Sequence, residues 1–159
     1  MKIFKCTFLL LFVMLMFSCS KEKESDQDIT LIVGDWIDIF GSNAEWKAQD
    51  QLGAFCTVTD DEVNELTVAG GTPYLYLKLN KGKETDYSHI PCDLGNAGSV
   101  SLEKLRAEGY VLKFSKDPRG VPQIPMYIRG LVIPEGKKTP DGLNMAEYEE
   151  VAEFFEITD

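Results

Sequence analysis

The segment Tyr74-Leu75-Tyr76-Leu77-Lys78-Leu79 constrains this chain most, because only one regular structure gives a period of two. It sends Leu75, Leu77 and Leu79 to one face and Tyr74, Tyr76 and Lys78 to the other. Similar short apolar runs, each ended by turn residues, recur along the chain. Residues 55–59 and 66–69 flank the acidic triplet Asp60-Asp61-Glu62 and read as short strands around a solvated turn. Residues 110–115 alternate with Tyr110, Leu112 and Phe114 on one face, and Lys116-Asp117-Pro118-Arg119-Gly120 is a strong turn. Residues 124–133 form a long strand whose early Pro125 points to an edge position or a bulge. Residues 30–40 are apolar on both faces, which suits a central strand or a barrel wall.

Two segments remain open at this level. Residues 101–108 read either as a two-turn helix, N-capped by Ser101 and stopped by Gly109, or as a strand entering a hairpin at 106–109. Residues 144–156 fit a helix with Met145, Tyr148, Val151, Ala152 and Phe155 on one face; a strand over 152–158 is the alternative. The expected fold is mainly β: one antiparallel β-sandwich or barrel with one or two short helices.

The first 30 residues follow another logic. Lys2 and Lys5 precede an uncharged apolar run at 7–17, about 16–17 Å long as a helix and too short to cross a bilayer core of about 30 Å. This is the layout of a secretory signal ending at Ser18, with Cys19 next. An ordinary cleaved signal that ends near a cysteine shares this layout. Residues 20–28 contain no apolar side chain and read as a flexible spacer. Three segments result: a signal at 1–18, a tether at 19–28 and a globular domain at 29–159.

Met16-Phe17-Ser18-Cys19 resembles a bacterial lipobox, departing from the usual pattern at Met16, where Leu is common, and at the bulky Phe17. The resemblance implies an acylated Cys19 as the first mature residue, hence a lipid-anchored envelope protein. Ser20 in place of Asp implies the outer membrane rather than the inner one. Stable anchoring needs more than one acyl chain, which such a modification supplies.

Loss of Lys2 and Lys5 with the signal leaves 14 basic against 26 acidic residues, a net charge of −12. Such a body is a poor partner for nucleic acid or anionic lipid. Cys56 and Cys92 remain in the folded part, either bridged in an oxidising envelope or buried as free thiols. With one histidine in the chain they do not make a zinc site. No metal site, cofactor or phosphate-binding loop is expected. Asp35 and Asp38 point to opposite faces of a strand, and His89 reads as a surface-loop residue, so no catalytic set is expected.

Gly34-Asp35-Trp36 resembles the Gly-x-Trp that opens the first strand of lipocalins, in a position similar to that in lipocalin-like bacterial lipoproteins. The resemblance implies a basic residue of the last strand packed across the Trp, with Arg129 as the counterpart, and an apolar ligand in a barrel mouth. Tyr74 and Tyr76 form an aromatic stripe that, if exposed, suits stacking on a sugar or holding a peptide, and otherwise packs half-buried under a loop. The expected role is a non-catalytic envelope-anchored binding module for a small ligand, glycan or peptide, with Trp36, Tyr74, Tyr76 and Arg129 at the site. The alternative is a structural or assembly accessory docked on another envelope protein. Expected partners are the membrane through Cys19 and an envelope protein or glycan.

Overall fold

A computed structural model describes residues 31–49, 53–81, 83–106, 109–120 and 124–158. The signal, Cys19 and the tether lie outside the described residues. The protein is a sandwich of two antiparallel sheets. The first sheet holds β1 (Ile32–Val33), β2 (Ile37–Asp38), β5 (Thr72–Lys81), β6 (Glu84–His89) and β10 (Met126–Ile133), in the order β1-β10-β5-β6 with β2 also on β10. The second holds β3 (Ala44–Gln49), β4 (Gly53–Val58), β7 (Cys92–Asp93), β8 (Ser99–Arg106) and β9 (Gly109–Phe114), in the order β3-β4-β9-β8-β7. Among the described residues both sheets end in open edges and no ladder joins them, so the sandwich reading holds and the closed lipocalin-like barrel does not.

The core between the sheets follows from the alternation. Leu75, Leu77 and Leu79 of β5, with Met126 and Ile128 of β10, face Cys56 and Val58 of β4 and Tyr110, Leu112 and Phe114 of β9. Each such burial is worth about 1.5–3 kcal/mol before entropy is counted. The other face of the first sheet carries a second cluster, Tyr76, Leu131, Ile133, Met145, Tyr148 and Val151. It is covered by the C-terminal segment and the helix α2 (Tyr148–Phe154).

The expected single strand at 30–40 is two short edge pieces. Leu31, Val33 and Trp36 join the outer cluster, whereas Ile37 and Ile39 join the core between the sheets. Both faces are apolar because the pairing with β10 shifts by one residue between β1 and β2, which turns the odd-numbered side chains from the outer face to the inner one while the chain stays on the same edge of the first sheet. The shift falls within the link 34–36, where the Gly34 N–H donates to Gly130 O at 2.9 Å. A Cβ on Gly34 would lie 2.8 Å from Asp60 Oδ2 and 2.9 Å from Val63 Cγ2. The central strand is β10, and Pro125 precedes its ladder instead of interrupting it, its carbonyl accepting from Asn80 N at 3.1 Å.

The acidic triplet is also corrected. Asp60 caps the helix α1 (Asp61–Val68), its side chain accepting from Val63 N at 3.2 Å. Of residues 66–69, expected as a strand, 66–68 continue that helix and Ala69 is its C-cap. Acidic residues at the cap and first turn favour a helix start through the dipole. Val63, 1% exposed, enters the space left by Gly34 and Gly130, and α1 packs on β5, β8, β9 and β10. For residues 101–106 the strand alternative holds, with Arg106 paired to Gly109, and residues 107–108 lie outside the described residues. For 144–156 the helix alternative holds over Tyr148–Phe154, preceded by a turn in which Asn144 Oδ1 accepts from Ala146 N at 3.1 Å.

Cys56 and Cys92 are free thiols. Three strand spacings separate β4 from β7, about 14 Å, against a Cα separation below about 7 Å for a bridge. The bridged alternative is therefore wrong. Burial raises the Cys56 pKa to about 12 and that of Cys92 to about 11.

Candidate functional site

The structure brings all four expected site residues to the outer face of the first sheet. Tyr74 and Tyr76 come from β5, Arg129 from β10 opposite Tyr76, and Trp36 from the link between β1 and β2. Tyr148 of α2 is the hub: its ring lies 4.6 Å from Tyr87, 5.1 Å from Tyr76 and 5.3 Å from Trp36. Its hydroxyl accepts from Arg129 Nη1 at 2.7 Å. The Arg129 guanidinium stands 4.6 Å from the Trp36 ring and Lys78 Nζ 4.9 Å from it, both within cation–π range. The Trp36–Arg129 pairing implied by the lipocalin resemblance is thus present, on an open sheet rather than in a barrel mouth.

This cluster is built for packing. Tyr76 is 0% exposed and Arg129 6%. The Tyr76 hydroxyl donates to Met145 O at 2.6 Å, and that of Tyr74 is 3.1 Å from Thr139 Oγ1. Burial, with Tyr74 and Tyr148 nearby, pushes the Tyr76 pKa above its ordinary value. Tyr76 has no ring face to offer a sugar, so the exposed aromatic stripe is corrected to a seam that fastens the C-terminal segment. His89 is not in a surface loop: it ends β6, half-buried, 5.4 Å from the Tyr76 ring and 6.1 Å from that of Tyr74. Burial lowers its pKa. Its ring thus packs against two phenols.

The feature with the form of a binding site lies elsewhere. Towards the far end of β5 from α1, the sheets part around a cleft of about 330 Å³. Leu79, Leu94, Ile124 and Met126 give it apolar walls, and Lys81, Asp86, Ser88 and Asp93 a polar rim. Lys81 Nζ donates to Asp86 Oδ2 at 2.5 Å, and Asp93 Oδ1 accepts from Gly95 N at 2.8 Å. The volume is at the small end of ligand pockets, and the mix of apolar wall and sparse polar groups is typical of them. Sequence reasoning missed these residues because they come from separate elements with no motif among them. The one hint is the turn-rich segment Asp93–Gly98 beside an apolar Leu94.

Among the described residues, no group of three or more His, Cys, Asp or Glu side chains is placed to hold a metal. Among the same residues no helix is long and apolar enough to cross a membrane. Compared with known proteins, the chain matches no family model, no curated protein and no solved structure.

Proposed function

We propose that the protein is a lipid-anchored binding module of the bacterial cell envelope, held by acyl chains on Cys19, that takes a small, largely apolar ligand into the cleft between its sheets. The observation that carries the ligand reading is the cleft itself, with Leu79, Leu94, Ile124 and Met126 behind a rim of Lys81, Asp86, Ser88 and Asp93. An apolar body would displace water from the walls, and the rim would orient one polar end. The role in this reading is non-catalytic: the polar groups of the rim are engaged with one another or with neighbours, Lys81 with Asp86, Asp93 with Gly95 N and Ser88 with the Cys92 thiol, and they would orient a ligand. The anchor reading rests on the lipobox-like Met16-Phe17-Ser18-Cys19 and the apolar run before it.

Two measurements test this. Intact mass of protein from its native membrane should show a chain beginning at Cys19 with added acyl groups, absent from a Cys19→Ala variant. An unmodified chain would remove the anchor. For the cleft, N-phenyl-naphthylamine should gain fluorescence with the mature protein and lose that gain in Ser88→Trp, whose indole would fill the space. Equal fluorescence in a folded Ser88→Trp variant would place the dye elsewhere and sink the cleft reading.

A further inference from the structure

A second surface stands apart from the cleft. Between α2 and the turn before it lies a hollow of about 440 Å³ lined by Asp141, Gly142, Leu143, Glu150, Glu153 and Phe154. Phe154 is 57% exposed, although its neighbours Val151 and Phe155 pack into the outer cluster. Its ring meets Phe155 edge-on at 4.9 Å, which holds it in a defined orientation. Glu150 and Phe154 are four apart on the helix, and Glu150 and Glu153 three apart, so they share one stripe. The hollow thus joins an apolar ring and Leu143 to three carboxylates, with no basic residue among its described lining.

We propose that this hollow is a docking site for a basic segment of a partner protein, with Phe154 as the anchor. Charge selects that occupant. A second copy of the chain would bring its own net charge of −10, or −12 once residues 1–18 are removed, against three carboxylates. The tether at 20–28 has no apolar residue to set against Phe154 and carries four acidic residues against two basic ones. An anionic lipid surface is repelled for the same reason. An apolar side chain flanked by Lys or Arg meets both requirements at once: it covers the ring while its cations meet Asp141, Glu150 and Glu153. The inference does not depend on the cleft.

The test uses labelled peptides of alternating Lys and Leu, of Lys and Ser, and of Asp and Leu, titrated by anisotropy onto the mature protein in discs of neutral lipid. The Lys-Leu peptide should bind at least about tenfold more tightly than either of the others, because anchor and charge are both needed. Phe154→Ser, and separately Glu150→Gln with Glu153→Gln, should each weaken it about tenfold or more, whereas Phe154→Leu keeps most of the affinity. Asp35→Asn with Glu103→Gln, two exposed carboxylates elsewhere, and Ser88→Trp in the cleft should leave it unchanged. Equal weakening by the Asp35/Glu103 pair would show general charge attraction and overturn the proposal. Wild-type affinity in Phe154→Ser would overturn it too. So would self-association, or binding to anionic vesicles, that Phe154→Ser abolishes. If Phe154→Ser does not fold, the Glu150/Glu153 pair set against the Asp35/Glu103 pair decides.

Discussion

Substitution of Gly130 by alanine tests how α1 is seated. A Cβ there would lie 2.7 Å from Val63 Cγ1, 3.2 Å from Cγ2 and 3.4 Å from Leu75 Cδ2. Comfortable carbon contacts are about 3.5–4.0 Å, so the nearest methyl must retreat by about 1 Å. Overpacking of this kind costs about 1–3 kcal/mol. The residue's φ is not positive, so an alanine with room would instead stabilise by about 0.4–1 kcal/mol through the unfolded chain. The sign of the change therefore reports the clash. A net loss of about 1–2 kcal/mol is expected. Val63→Ala alone should cost about 2 kcal/mol, from two lost methyl groups and the space they leave. In the double variant the methyl group introduced at position 130 occupies part of that space, so the loss should fall about 1–2 kcal/mol short of the sum. Urea unfolding followed by the fluorescence of Trp36 and Trp46 measures all three. A stabilising Gly130→Ala, or losses additive within about 0.5 kcal/mol, would refute the idea that the two glycines are the seat of Val63.

Other outcomes follow from the same geometry. Tyr148→Phe removes the oxygen that accepts from Arg129 and should cost about 1.5–3 kcal/mol in urea unfolding; a change under about 0.5 kcal/mol would show that the seam rests on ring packing alone. Burial lowers the pKa of His89 below its ordinary 6.5, so the unfolded chain takes up the proton first. Stability from this group is complete above the unfolded value and falls as pH drops through 6.5 towards the lower folded value. Wild type should therefore lose more stability than His89→Gln between about pH 8 and about pH 5.5, and parallel curves would contradict the burial of the ring. Without reductant, the denatured protein, if acylated at Cys19 as proposed, should titrate two thiols, Cys56 and Cys92, and native protein should react slowly because both pKa values are raised. Finding none would restore the bridge, and finding a third would leave Cys19 unmodified.

Local chemistry alone determined a good part of this protein. Period-two runs placed β5 and β9 and their inward faces correctly, because a strand's alternation is a property of its own backbone. The apolar stripe from Met145 to Phe155 likewise announced a helix lying on a core. Where local chemistry had two readings, the packing partner chose between them. Asp60-Asp61-Glu62 is both a good turn and a good helix start, and Val63 fitting against Gly34 and Gly130 selected the helix. Residues 101–106 became a strand because β9 offered its edge. The run at 30–40 is apolar on both sides, and only the presence of two cores, one on each face of the first sheet, showed why. The candidate site divides in the same way. The Gly-x-Trp resemblance paired Trp36 with Arg129, and the alternation put Tyr76 in a separate stripe with Tyr74, but that these groups meet, and whether such rings face water or a helix, depends on what covers them, and Tyr148 lies 72 positions beyond Tyr76 in the chain. The cleft left no trace in any one segment, because it is the space between two sheets. Its walls are set by side chains from β5, β10 and the loops beside them, which meet only when the chain is folded.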